Sequence, residues 1–158
     1  RKQRTRIADV HEIVGVDGSA AMLDLATRRL RPGDAIRFVQ AYLPSDDLPP
    51  RAFSAVVSNS LLHHLPDPSV LWRTIAQVAA PGAFVLVGDL RRPATPEEAQ
   101  ALVERYAVGE PELLRHDFLA SLHAAFTPAE VRAQISTAGL KLEVEERGDR
   151  YLLVSGTR

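Results

Sequence analysis

The chain has 158 residues, 46% hydrophobic and 25% charged, with a formal net charge of −1. This is one domain's worth of ordinary globular sequence, and its charge balance excludes a general nucleic-acid or membrane-surface binder. It has no cysteine, which removes disulfides, thiolate nucleophiles and cysteine-ligated metals; no apolar run approaches the ~20 residues that span a bilayer, no signal peptide is evident, and a cytoplasmic location is expected.

Strand and helix signals alternate along the chain, which predicts an α/β domain with a mostly parallel sheet. Arg1 to Arg6 reads as the tail of a helix, its basic residues a solvated end rather than a phosphate-binding arm, and Ala8 to His11 as a link. The start at Arg1 rather than Met suggests a piece of a longer protein. Ile13 to Asp17 is a strand apolar on both faces, as a central parallel strand is. Ser19 caps a helix that carries Met22, Leu25, Ala26 and Leu30 along one side, and Arg31-Pro32-Gly33-Asp34 stops it. Ile36 to Val39 is a short second strand. The prolines and aspartates between Leu43 and Arg51 make a surface loop, and Ala55 to Ser58 is a third strand.

Asp67-Pro68 is a cap with proline at the first helical position, and Leu71, Ile75, Val78 and Ala79 form the inner face of that helix. Pro81-Gly82 closes it before a fourth strand, Ala83 to Asp89. Thr95 with Glu98, and Thr127 with Glu130, have the spacing of capping boxes. Between them lie an amphipathic helix from Pro96 and another over Glu112 to Ala125. Leu140 to Glu145 alternates as a one-sided strand does, and a Gly148-Asp149 turn leads into Tyr151 to Ser155, predicting an antiparallel hairpin at the sheet edge.

Two stretches carry chemistry. Asp17 stands at the tip of the first strand, where a carboxylate accepts hydrogen bonds from a ribose diol; the alternative is an ordinary helix-capping aspartate. Ser58-Asn59-Ser60-Leu61-Leu62-His63-His64-Leu65-Pro66-Asp67-Pro68 follows the third strand, so Asn59 to His64 falls at the carboxyl rim where open α/β sheets bind ligands. Metal binding by the adjacent histidines is not expected, because neighbouring side chains diverge and no third ligand is near.

Together, Gly15-Val16-Asp17 with Ser19 and Met22-Leu23, the Ser58 to Pro68 stretch, and Ala80-Pro81-Gly82-Ala83-Phe84-Val85-Leu86-Val87 resemble motifs of class I S-adenosylmethionine-dependent methyltransferases. The likeness is to the small-molecule group related to ubiquinone and menaquinone biosynthesis, and its motifs cover residues 10 to 92. It implies a Rossmann-like fold, S-adenosylmethionine as cofactor, S-adenosylhomocysteine as product and a small-molecule acceptor. It implies that Asp17 binds the ribose, that Gly18 and Met22 flank the ribose and adenine, and that Asn59 and Ser60 lie beneath the methionine part. Tyr42 and Leu43 fall where the adenine is held, although the acidic residue usual there is replaced by Gln40-Ala41-Tyr42-Leu43. His63 and His64 are the candidate catalytic bases, one facing the pocket and one packing.

The glycine-rich loop and the strand before it, which the family places ahead of Asp17, have no counterpart in the residues upstream of Ile13. The domain, 1–158, is therefore expected to be N-terminally incomplete. Strands missing a neighbour leave backbone groups unpaired at about 1–3 kcal/mol each where buried, against about 5–15 kcal/mol of domain stability. A further N-terminal segment, a dimer partner, or direct pairing of the two flanking strands would complete the sheet. The helices of residues 96–126 interrupt the strand order and are expected either to form a lid, with Tyr106, Phe118, Leu119 and Leu122 favouring an apolar acceptor, or simply to cover the sheet. Two other readings remain: a non-catalytic methyltransferase-like subunit, and a nicotinamide-nucleotide domain, which needs its own glycine fingerprint and leaves Asn59 to Pro68 unexplained.

Overall fold

A computed structural model describes residues 11–158. The expected helix tail and basic cluster at Arg1 to Arg6 lie outside the described residues. The chain divides into two compact units, Arg1–Asp47 and Leu48–Arg158.

The first unit is a strand, helix, strand unit: β1 (Ile13–Asp17), α1 (Ala20–Thr27) and β2 (Ile36–Gln40). The two strands pair in parallel, from Ile13 opposite Ile36 to Asp17 opposite Gln40. Ser19 caps α1 as its position predicts, its hydroxyl accepting from the Met22 amide at 3.3 Å. The stop after the helix is a turn closed by Arg31 N donating to Asp34 Oδ2 at 2.8 Å, with Gly33 at φ 96°. β1 is apolar on both faces, yet Ile13 is 48% exposed. Among the described residues β1 pairs with β2 alone, which leaves its other edge without a described strand neighbour.

The second unit holds β3 (Phe53–Asn59), a one-turn 3-10 helix (Leu62–His64), α2 (Ser69–Val78), β4 (Ala79–Leu90), α3 (Pro96–Tyr106), α4 (Glu112–Ala124), α5 (Pro128–Thr137), β5 (Leu142–Arg147) and β6 (Tyr151–Thr157). The sheet order is β3-β4-β6-β5, with β3 and β4 parallel and the other two pairings antiparallel. The predicted hairpin is thus present, and β5 is its outer strand. Alternation along β4 and β6 sends Val85, Val87, Leu152 and Val154 to one face, where they pack with Leu71, Trp72 and Ile75 of α2 and Val131 and Ile135 of α5. A second apolar cluster joins Leu90 at the end of β4 to Ala99, Leu102 and Val103 of α3 and Leu122 of α4.

Three local features differ from the sequence expectation. Pro81-Gly82 does not separate α2 from the next strand. The helix ends at Val78 and β4 starts at once; the register jumps from Phe53–Ala79 to Ala55–Phe84, and Gly82 takes a φ of 77° within this irregularity. The Asp67 carboxylate accepts from Ser69 N at 3.0 Å, but α2 begins at Ser69 with Pro68 in the cap position and no side-chain cap bond there, so Asp67 stands one residue outside the cap expected of it. Thr95 accepts from Glu98 N at 3.2 Å, but Glu98 reaches back to the Ala94 amide rather than to that of Thr95. Thr127 and Glu130 form the full reciprocal box.

Candidate functional site

The first strand tip is compact and open to solvent. Asp17 Oδ1 accepts from Ser19 N at 2.7 Å, which folds the turn into α1 and leaves Oδ2 without a recorded protein partner among the described residues. The Asp17 carbonyl accepts from Ala41 N at 3.1 Å, and Gln40 Nε2 donates to the Gly18 carbonyl at 3.2 Å. Gly18 lets the Tyr42 ring lie close over the turn: a Cβ there would stand 2.6 Å from that ring and push it aside. Asp17, Gly18 and Tyr42 are therefore brought together, and Tyr42 is 79% exposed, an aromatic face free to stack. Leu43 is half-buried beside it, whereas Met22 is exposed on α1. One carboxylate oxygen already engaged and one free to accept, beside an exposed ring, is an arrangement that suits the hydroxyls of a ribose diol and the face of a purine.

The second tip is built differently. Asn59 ends β3 opposite Gly88 of β4, so both strands present their carboxyl ends at the same rim. Ser60 turns the chain with φ 53°, and its amide donates to the Gly88 carbonyl at 2.9 Å. Asn59 Nδ2 donates to Ser60 Oγ at 3.1 Å, while a Cβ on Gly88 would stand 3.2 Å from Asn59 Oδ1. The 3-10 turn follows, and the two histidines part company within it. His63 is 8% exposed, and its Nδ1 donates to Asp89 Oδ1 at 2.6 Å. His64 is exposed; its ring centroid lies 4.0 Å from that of His63. Partial loss of water around the His64 ring, and then the neighbouring His63, hold its pKa below the ordinary histidine value.

Gly88 and Asp89 are functional candidates that the motif reading did not single out. An acidic residue ending the apolar run Ala83 to Leu90 was the available signal, the same one that drew attention to Asp17. An open cavity of about 270 Å³ lies at this rim, lined by Asn59, Gly88, Asp89, Arg147, Tyr151 and Leu153. Beyond it, the turn of the β5–β6 hairpin is tied to α3. Asp149 accepts from Arg105 Nη1 at 2.8 Å and from the Tyr106 hydroxyl at 2.9 Å, and the Arg150 guanidinium lies 3.6 Å from the centre of the Tyr106 ring. Leu122 of α4 is fully buried in the cluster with Leu90 and the α3 residues, with Phe118 and Leu119 packed against the same cluster. Among the described residues, no group of three or more His, Asp or Glu side chains is placed to hold a metal ion, and no helix is long and apolar enough to cross a membrane.

A family model described as a methyltransferase domain matches residues 3–87, taking in both strand tips and stopping just before Gly88. No curated protein sequence matches the chain. Among solved structures the chain is similar to a SAM-dependent methyltransferase from Aquifex aeolicus, with 15% identity over 92% of this chain and 68% of that one, TM-score 0.68. It is similar to an S-adenosylmethionine-dependent methyltransferase from Mesorhizobium loti, with 22% identity over 94% of this chain and 81% of the other, TM-score 0.68. It is also similar to a structure described as a DhpI–SAM–HEP complex, with 23% identity over 94% of this chain and 68% of that one, TM-score 0.64. At these identities the likeness to solved structures is one of fold.

Proposed function

The chain belongs to the methyltransferase domain family, and on that premise we propose that it transfers a methyl group from S-adenosylmethionine to a small-molecule acceptor, releasing S-adenosylhomocysteine. The observation that carries this reading is the family match over residues 3–87; within that stretch each strand tip, taken by itself, bears polar groups suited to part of such a cofactor. Asp17 takes the ribose hydroxyls through its free oxygen. Gly18 keeps the tip slim, and Tyr42, with Leu43 beside it, lies against the adenine. Met22 flanks the same portion from α1. Asn59 and Ser60 meet the methionine portion.

The cofactor, when bound, supplies a methyl group already activated on a sulfonium, so the protein's work is to orient the acceptor and exclude water. The open cavity beside Asn59 is the acceptor site in this reading, and the α3–α4 pair is its lid. The histidines divide their roles as their burial suggests. His63 is held away from solvent by Asp89, and His64, exposed and with a lowered pKa, is neutral at pH 7 and able to take the proton of a hydroxyl acceptor.

Calorimetric titration with S-adenosylhomocysteine tests the cofactor site. Micromolar binding that Asp17→Ala abolishes, without loss of the circular dichroism of the fold, is expected; binding that survives the substitution would remove Asp17 from the site. One observation favours a second reading, a methyltransferase-like subunit without catalytic activity. Among the described residues β3 pairs only with β4, and Val57 on it is 66% exposed, an edge suited to strand addition by a partner. Under that reading the protein does not bind S-adenosylhomocysteine and runs as a stable dimer or hetero-complex in size-exclusion chromatography with light scattering.

A further inference from the structure

The end of β4 does more than complete the sheet. Asp89 is a buried carboxylate whose side chain is 1% exposed, and both of its oxygens are committed. Oδ2 accepts from Leu62 N at 2.8 Å. Oδ1 accepts from His63 Nδ1 at 2.6 Å and from Leu90 N at 2.8 Å. A carboxylate withdrawn from water is stable only when paired and hydrogen-bonded, and here the groups that satisfy it belong largely to the loop after β3. The residue before it acts on the same loop: the Gly88 carbonyl holds the Ser60 amide, and the missing side chain at Gly88 makes room for Asn59 Oδ1. Ser60 sits at a positive φ that a serine adopts only when its surroundings impose it.

We propose that Asp89 is the positioning residue of the Asn59–His64 loop, acting through His63: it fixes the His63 ring with the proton on Nδ1 and so sets the conformation in which Asn59, Ser60 and His64 stand at the rim. The carboxylate orders the first two residues of the 3-10 turn at once, through one backbone amide and one ring nitrogen. With Nδ1–H directed at Asp89 the His63 ring is fixed in orientation, and the His64 ring lies tilted against it at 4.0 Å between centroids. Removing the carboxylate frees the ring to change tautomer and the Leu62 amide to exchange, and the loop loses its single conformation. The functional consequence rests on the cofactor reading given above; the geometric part does not.

The test is nitrogen-15 NMR of the histidine rings together with titration of S-adenosylhomocysteine, on the wild type, Asp89→Asn, His63→Gln and the double variant. All are measured at a temperature where circular dichroism shows each variant folded. We expect His63 protonated on Nδ1 in the wild type, and S-adenosylhomocysteine affinity about tenfold weaker in Asp89→Asn, the loss of one charge-assisted hydrogen bond. His63→Gln should show a comparable loss, and the double variant should be no worse than either single one. A merely structural role would lower the unfolding temperature and leave the affinity of the folded protein within twofold, which overturns the proposal. A wild-type His63 protonated mainly on Nε2 overturns it as well, and this needs no variant to fold. If the wild type fails to bind S-adenosylhomocysteine, the cofactor reading falls, while the ring nitrogens and Leu62 amide exchange still decide whether Asp89 positions the loop.

Discussion

The two strand tips offer the same element of an α/β fold built in two ways. At the end of β1 a carboxylate lies in the open, folded onto its own turn by one bond to Ser19, with exposed Tyr42 as its neighbour. At the end of β3 the polar residues are Asn59, Ser60 and His64, and the carboxylate that organises them is on the adjacent strand, buried as Asp89. The first tip keeps a charge free for a ligand and has little holding it; the second commits its charge to holding a loop and presents neutral groups. An exposed carboxylate is available but weakly ordered, whereas a buried one orders its surroundings because leaving any of its partners unmade is costly. Asp17 is therefore expected to matter for binding and little for stability, while Asp89 should matter for both.

The largest effect should come from breaking the support beneath the second tip. Trp72 of α2 is fully buried, packs against β4 and β6, and donates from Nε1 to Gln134 Oε1 of α5 at 2.9 Å. Trp72→Ala removes the ring and leaves the glutamine oxygen without that donor, and should cost about 3–5 kcal/mol. Against about 5–15 kcal/mol for a domain, that removes a large share of the second unit's stability. Urea unfolding followed by circular dichroism measures it. A loss under about 1 kcal/mol would mean that the α2–α5 layer is not what carries the rim.

Much of this arrangement was legible in the residues, and the failures have local causes. Asp17 and Ser19 announce their turn because strand, acid and cap are adjacent in sequence. The histidine pair announces the second rim, but not which histidine is buried; that is decided by Asp89, whose bond to His63 spans 26 residues. Likewise, Trp72 finds its partner 62 residues away on α5, a distance over which periodicity along α2 carries no information. Pro81-Gly82 read as a stop, and its absorption into β4 follows from the register irregularity against β3, a tertiary fact. The exposure of β1, apolar on both faces, has the same origin: which neighbours a strand has is not written in the strand itself.

A smaller effect separates the two units through their helix caps. Thr127 belongs to a complete box, its hydroxyl accepting from Glu130 N at 3.3 Å and its amide donating to Glu130 Oε2 at 2.7 Å, and Arg92 also pairs with Glu130. Ser19 has the single 3.3 Å bond from Met22 N, on an exposed turn. Thr127→Ala should cost about 1–2 kcal/mol and Ser19→Ala about 0.5–1 kcal/mol. Urea titrations read at amides within α5 and α1 compare them. Equal costs would show that the reciprocal box adds nothing over the lone cap.

The smallest effect is the most specific to the second tip, because it titrates. His64 has its pKa below the ordinary value in the folded protein, through loss of water around its ring and then the nearby His63. Between the lowered folded value and the unfolded value of about 6.5, the unfolded chain binds more protons than the native one. Stability should therefore be full above about pH 6.5 and fall as the pH drops below it, until the folded ring is itself protonated. Glu130 acts lower on the scale. Its carboxylate is held below the usual range by the Thr127 amide first and by Arg92. Its contribution is present above an unfolded value of about 4.3 and is lost as the pH falls through the folded one. His64→Gln should flatten the slope in the upper window and leave the lower one, whereas Glu130→Gln should do the reverse, in unfolding temperatures recorded from pH 8 to pH 3. If His64→Gln left the upper slope unchanged, His64 would not be the group that titrates there. Its place as the neutral base at the rim would then lose its electrostatic support, while the bond between His63 and Asp89 beneath it would be untouched.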